Sequence, residues 1–433
     1  MKKDKIIKNK VNTKAHTQAD TNRNAGITLI TLAVTILIII ILASITINAV
    51  LGDNGLLSQA QDAKDLAEST TLETGDKMNS LLQEYMNVMA EDSGGGIEEP
   101  GVDITPPTVE DSKGEKFDNT TQVEDASGDT VWIPGGFEIA EDSANDADDG
   151  IVITDGTNEF VWIPVGDDDL AEMYNTTAGN TKLTGVTTTT SIYSKLRVRS
   201  GDSYTPGAPN TINIREPDVL SKYDTDSQYY QRILGYGSTK AMADAMVAEY
   251  KATYDSIVKY DGFYIGRYEL TGTVSKPTVK KGQTVLSSQN WYNLKQACTN
   301  VVNTDYAQTT MIYGNQWDEV MDWLVDTGEK TDSEVNTNSA SWGNYNDSTG
   351  NAATGAGTIR PAGYSEYWKA NNIYDLAGNC MEFTQEAYYT SSRVRRGGSY
   401  GYSGSSSPAS DRSNDYPSNS LSGNSSRPAL YIK

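Results

Sequence analysis

Carboxylates could do acid–base work here, but nothing marks out a pair, and few other side chains suit nucleophilic or metal chemistry. There are two cysteines, Cys298 and Cys380, and one histidine, His16. Two thiols so far apart form neither a disulfide framework nor a zinc spacing. They leave two readings open: one disulfide on an oxidising surface, or two buried free thiols. His16 sits in a basic leader, which excludes ordinary histidine catalysis and histidine-ligated metal from the rest of the chain. Acidic runs such as Asp167-Asp168-Asp169 read as solvated loop charge. What remains is the chemistry of recognition, and it gathers near the C-terminus. Between Arg396-Gly397-Gly398-Ser399 and Ser426-Arg427-Pro428-Ala429-Leu430 the chain is almost all Ser, Tyr, Gly, Asn and Asp. Those residues combine rigid aromatic area with adaptable polar groups, as paratopes do.

Residues 400–424 contain no Lys, Glu, Gln, Met or Trp. Replacing only the adenines of an Asn codon yields Tyr, Asp, Ser, Gly, Leu and others, but none of those five. The segment resembles the variable region of a diversity-generating retroelement target protein. A Ser-rich disordered tail is the competing reading. It fits poorly with a closing strand-like piece led in by Arg427-Pro428. The resemblance implies variable ligand contacts at Tyr400, Gly401, Tyr402, Ser405, Ser406, Asp411, Ser413, Asp415, Tyr416, Leu421, Ser422 and Gly423. Arg396, Gly397, Gly398, Pro408, Arg412, Pro417, Arg427 and Pro428 are the expected frame.

Such residues need a rigid support. Aromatic and β-branched alternation predicts strands at Val131–Phe137, Phe160–Gly166 and Gly262–Gly272. Helices are expected at Trp291–Val301 and Asn315–Leu324, and a strand at Arg393–Ser399. This order resembles the formylglycine-generating enzyme (sulfatase-modifying factor) family, a variant of the C-type lectin fold. The residues that carry it are Phe263–Thr271, Gln316–Trp323, Asn372–Phe383, Arg396–Tyr400 and, more loosely, Ser425–Arg427. Residues 170–261 fit less well and read as insertions.

The resemblance implies an α+β, C-type lectin-like head. Oxidase members of the family use two copper-binding cysteines after the RGGS strand, and residues 400–417 contain none, so an enzyme of that kind is not expected. Some members hold a structural calcium near the turn matching Asn379 and Glu382, whose oxygens suit a hard cation. An Asn-capped turn with a partly buried Glu is the alternative. No other cofactor is implied.

The chain has 433 residues and a formal charge of -23. Such an acidic body repels phosphates and excludes nucleic acid as a partner. The uncharged run from Ile27 to Leu51 is long enough to span a bilayer. The basic flank before it places the N-terminus in the cytoplasm. Ala25-Gly26-Ile27-Thr28-Leu29 resembles a type IV prepilin site, with cleavage between Gly26 and Ile27. The usual Glu at the fifth mature position is Thr31 here, which puts assembly as a major pilin in doubt.

An apolar stripe through Met78, Leu81, Leu82, Tyr85, Met86 and Met89 predicts a helical stalk. Gly94-Gly95-Gly96 and Pro106-Pro107 mark a spacer. The expected layout is a leader (1–26), a transmembrane helix (27–51), a stalk (52–90), a linker (91–116) and a lectin-like head (117–433) with its variable region at about 399–425.

Taken together, the residues describe a membrane-anchored, extracellular, surface-displayed binding protein with a retroelement-diversified site. Its expected partners are an unknown protein or cell-surface ligand, the membrane, and pilin subunits with their prepilin peptidase. A formylglycine-generating oxidase and a structural minor pilin are the rival readings.

Overall fold

The structure, a computed structural model, describes residues 106–174, 176–183, 191–192, 212–213, 239–389 and 392–433. The expected leader, Gly26–Ile27 junction, apolar run and stalk lie outside the described residues. No helix among the described residues is long and apolar enough to cross a membrane. The chain divides into two compact units, Met1–Asp103 and Ile104–Lys433. The second is an α+β unit. It begins earlier than the sequence suggests: Val109 is buried and Val109 N–H donates to the Glu124 carbonyl at 2.8 Å. Residues 108–116, expected in the linker, belong to the head.

Ten strands and four helices position the candidate site. The strands are β1 (Glu138–Ile139), β2 (Val152–Thr154), β3 (Glu159–Pro164), β4 (Gly262–Gly266), β5 (Ala307–Met311), β6 (Met381–Tyr389), β7 (Ser392–Arg396), β8 (Ser413–Asp415), β9 (Asn424–Ser426) and β10 (Pro428–Ile432). The helices are α1 (Asp167–Tyr174), α2 (Thr239–Tyr260), α3 (Trp291–Thr299) and α4 (Gly314–Asp326). The main sheet is antiparallel, in the order β5-β10-β4-β3-β2-β1.

Its central strands are buried on both faces, which explains their near-continuous apolar sequences. Side chains alternate across the sheet with period two. Val161, Ile163, Phe263, Ile265 and Ala429 enter one core, with α2, α3 and α4 against them. Phe160, Trp162, Tyr264, Leu430 and Ile432 enter the other. That second core is closed by a hairpin of Thr121–Glu124 and Thr130–Ile133, which buries Val123, Val131 and Ile133.

The C-terminal strand β10 lies inside the sheet, between β5 and β4. The Ser- and Tyr-rich segment is therefore pinned at both ends. The segment itself adds strands to a second sheet, in the order β8-β7-β6-β9, parallel only between β6 and β9.

Two further expectations change. The span 170–261, read as insertions, contains α2, whose Tyr250, Tyr254 and Ile257 are core residues at helical spacing. Asp167, Asp168 and Asp169 are not loop charge but the exposed first turn of α1, where carboxylates favour the helix dipole.

Candidate ligand-binding face

The motif Asn371–Asn379 turns the chain sharply beneath the candidate segment. Asn371, Asn372, Asp375 and Asn379 all have positive φ, between 39° and 64°. Asn and Asp tolerate that region better than other residues with a side chain, so the motif's composition follows from its backbone. The Asn379 carbonyl accepts the Tyr400 N–H at 3.0 Å. After β7, Gly398 (φ +72°) brings its backbone against Ser407 and the Tyr345 ring, where a Cβ would clash. The Tyr345 hydroxyl donates to the Gly397 carbonyl at 2.8 Å.

From there the segment forms two loops. The first, 399–407, rests on 338–349. Asn346 donates from its backbone to the Tyr402 carbonyl (3.0 Å) and from its side chain to the Gly401 carbonyl (2.9 Å). Asp347 Oδ1 accepts the Gly404 N–H at 2.8 Å. The second loop, 413–423, rests on the start of α3. Trp291 N–H donates to the Pro417 carbonyl at 3.0 Å, and Ser288 N–H to the Leu421 carbonyl at 3.2 Å. The loops meet where a Cβ on Gly423 would lie 4.0 Å from the Tyr400 ring.

Most of the twelve expected variable residues lie open on these loops. Tyr402, Tyr416 and Leu421 are 50%, 46% and 47% exposed, too much for a core role. Gly401, Ser405, Ser406 and Ser422 are exposed, and Tyr400, Ser413 and Gly423 are half-buried.

Two do not point outward. Asp411 is buried. Asp415 accepts from Arg395 Nη1 at 3.1 Å through one oxygen, and from the Tyr416 N–H (2.8 Å) and Asn419 Nδ2 (2.6 Å) through the other. Both therefore serve the frame. Asn414, Ser418 and Ser420 are exposed and were missed. They share the same restricted residue types, which was the available signal.

The expected frame residues are buried or nearly so. Arg396 and Arg412 both donate to Asp318 of α4, and Arg412 Nε donates to Glu386 Oε1 at 3.0 Å. This network fastens the middle of the segment to α4 and β6.

Asn379 and Glu382 do not offer oxygens to a cation. Arg427 grips Glu382 through Nε–Oε2 (3.0 Å) and Nη2–Oε1 (2.7 Å), with both side chains fully buried. Asn379 Oδ1 accepts from Asn344 (2.9 Å) and from the Arg360 N–H (3.0 Å), and its Nδ2 donates to Glu269. The calcium expectation is thus replaced by a guanidinium that supplies the positive charge.

Both cysteines are free and buried in separate cores. Burial pushes the Cys298 thiol up to about 12 and raises Cys380 well above the usual thiol range, which disfavours the reactive thiolate.

The Arg427 pocket also holds Asp375 and Glu269. Burial pushes Asp375 up to about 7, against the Gly363 N–H and Arg427, while Glu382 pushes the same way as burial. Burial also raises Glu269 and Glu382. The unfolded Asp gives up its proton near 3.8. Folded Asp375 keeps it until about 7, so its contribution to stability is full below the unfolded value and is lost as pH rises through 7. Glu366 is held at about 2: burial works to raise it, but Lys281 and Tyr374 outweigh that. Its own effect is thus confined to pH below the ordinary glutamate value of 4.5. We expect the melting temperature to fall between pH 5 and pH 8, and Asp375→Asn to flatten that slope. A slope unchanged in the variant would remove Asp375 from the account.

No family model matches the chain, and no curated protein does. Solved structures similar to it include the following two. The structure of PvdO from Pseudomonas aeruginosa shares 14% identity over 40% of this chain and 81% of that one, with a TM-score of 0.27. Treponema denticola variable protein 1 shares 13% identity over 65% of this chain and 98% of that one, with a TM-score of 0.24.

Proposed function

We propose that this chain is a surface-displayed binding protein of lectin-like fold whose 399–425 segment is diversified by a retroelement. The observation that carries the reading is a division of labour within one segment. Every exposed position between Gly401 and Ser422 carries a residue type reachable from an Asn codon, while Arg396, Pro408, Pro417 and Arg427 lie buried beneath them. A ligand would meet Tyr402, Tyr416 and Leu421 as apolar anchors. Flanking serines and the loop backbone would adjust to it. The oxidase reading is less favoured because neither thiol is open to substrate or metal.

Sequencing this segment from many cells of the source population tests the proposal. Differences should fall on exposed positions, including Asn414, Ser418 and Ser420, in codons altered only at adenine. The frame codons should not vary. An invariant segment, or variation spread over the frame, would count against diversification.

We further propose that the N-terminal run anchors the head after cleavage at Gly26, whether as a minor pilin or as a plain anchor. Mass spectrometry of the membrane-extracted protein should then find Ile27 at the N-terminus. An intact Met1 in cells that hold the prepilin peptidase would refute cleavage.

A further inference from the structure

Six large apolar side chains are exposed among the described residues. Tyr402, Tyr416 and Leu421 belong to the candidate face. The other three, Ile359, Tyr364 and Tyr367, are 38%, 48% and 55% exposed and lie outside the 399–425 segment. Exposed aromatic groupings of this kind mark interaction surfaces.

The second group begins beside the first. Asn379 joins them: its carbonyl holds the Tyr400 amide, while its side-chain oxygen holds the Arg360 amide, each at 3.0 Å. Asn346, which carries the edge of the first loop, packs against Gly357. The shelf is also stiff. The Arg360 guanidinium lies 4.9 Å over the Tyr364 ring, and that ring sits 5.5 Å from buried Trp368. Arg360 Nε is tied to the Gly355 carbonyl at 2.7 Å.

Its charge departs from the rest of the molecule. Lys281 and Lys369 share the Glu366 carboxylate at 2.6 Å and 3.5 Å, and Arg360, over the Tyr364 ring, adds a further positive charge. The chain as a whole carries -23. A locally cationic aromatic shelf therefore suits an acidic protein surface, with the guanidinium available for carboxylates.

We propose that Ile359, Arg360, Tyr364 and Tyr367 form a fixed half of the binding face, which docks an acidic protein surface whatever residues the variable loops carry. This rests on the reading of the loops as a binding face. The fixed shelf supplies affinity common to all versions, and the loops supply the choice among partners.

The test uses the full chain displayed on cells, with Gly401, Tyr402, Ser405, Tyr416 and Leu421 randomised. It is panned on ovalbumin, an acidic protein, in physiological salt. Tyr364→Ala with Tyr367→Ala is then placed in several independent binders, and Arg360→Gln in the same clones. Each clone should lose about tenfold or more in affinity with the double variant, and less with Arg360→Gln, while keeping its melting temperature. Clones that bind equally well without the tyrosines would overturn the shelf while leaving the loops as a binding face. A folded library that yields no binder would remove both. Heparin binding that depends on Arg360, with ovalbumin binding unaffected by any shelf variant, would overturn the assignment to a protein partner. Should the double variant melt early, Arg360→Gln alone decides: unchanged affinity in every clone refutes the proposal.

Discussion

Arg427→Met should unfold the head or leave it barely stable. Arg427 is fully buried and donates to both oxygens of Glu382. It also donates to the carbonyls of Gly266 and Tyr374, each at 2.8 Å. It is the shared cation of Glu269, Asp375 and Glu382, since its charge opposes the rise in all three carboxyl pKa values. Methionine fills the volume but leaves those carboxylates and two backbone acceptors without it.

Breaking one partner of a buried ion pair costs about 3–5 kcal/mol, against a total of about 5–15 kcal/mol for a typical domain. The same pair strapped across Gly266, Tyr374 and Glu382 also joins β4 to β6, so the damage should reach both sheets. Urea denaturation followed by tryptophan fluorescence gives the midpoint. Adding Glu382→Leu should recover part of the loss, because the pair is then removed as a unit. A midpoint matching the parent's in Arg427→Met would refute this account of the pocket.

The second large effect separates three glycines of the candidate segment. Gly404→Tyr should collapse the fold, whereas Gly401→Tyr and Gly423→Tyr should leave it intact. A Cβ on Gly404 would fall onto the Ala340 amide, 2.8 Å from Ala340 Cα and 2.9 Å from its Cβ. These are mainly backbone atoms, and they are held because the Ser339 N–H donates to the Gly404 carbonyl at 3.1 Å. The loop would have to lift, losing that bond and the Asp347 bond together.

At Gly401 nothing lies within 4 Å of the added Cβ, and at Gly423 the nearest atom is 3.7 Å away. Neither has the positive φ that strains a side chain. We expect Gly404→Tyr to cost several kcal/mol, within the ~1–3 kcal/mol of overpacking or beyond it, and the other two less than about 1 kcal/mol. Protease resistance of displayed variants would rank them. Equal resistance at all three positions would mean that the loops are not built on a fixed frame. The contrast has a functional edge: a segment that must accept new residues needs open positions beside closed ones.

Much of the scaffold was legible in the chain. Phe160–Ile163 and Phe263–Ile265 combine aromatic and β-branched residues in runs too short for a helix, and both became central strands. The helix expected at Trp291–Val301 formed over Trp291–Thr299, where the Asn290 side chain accepts the Asn293 N–H at 2.9 Å. The open loops were legible as well, because their residue types are those that contact solvent or ligand without building a core. These features are local, and local sequence decides them.

What stayed hidden depends on partners distant in sequence. Asp411 and Asp415 look like their exposed neighbours until Arg395 and the packing beneath them turn them inward. Glu382 reads as a cation ligand until Arg427, 45 positions later, takes both its oxygens. Arg412 is anchored by Asp318, 94 positions earlier, which no spacing rule links to it. The shelf at Ile359–Tyr367 carries no motif; it is visible only because the fold leaves those rings uncovered beside Tyr400. Residue type sets what a side chain can do, but burial and charge pairing are settled only when remote segments meet.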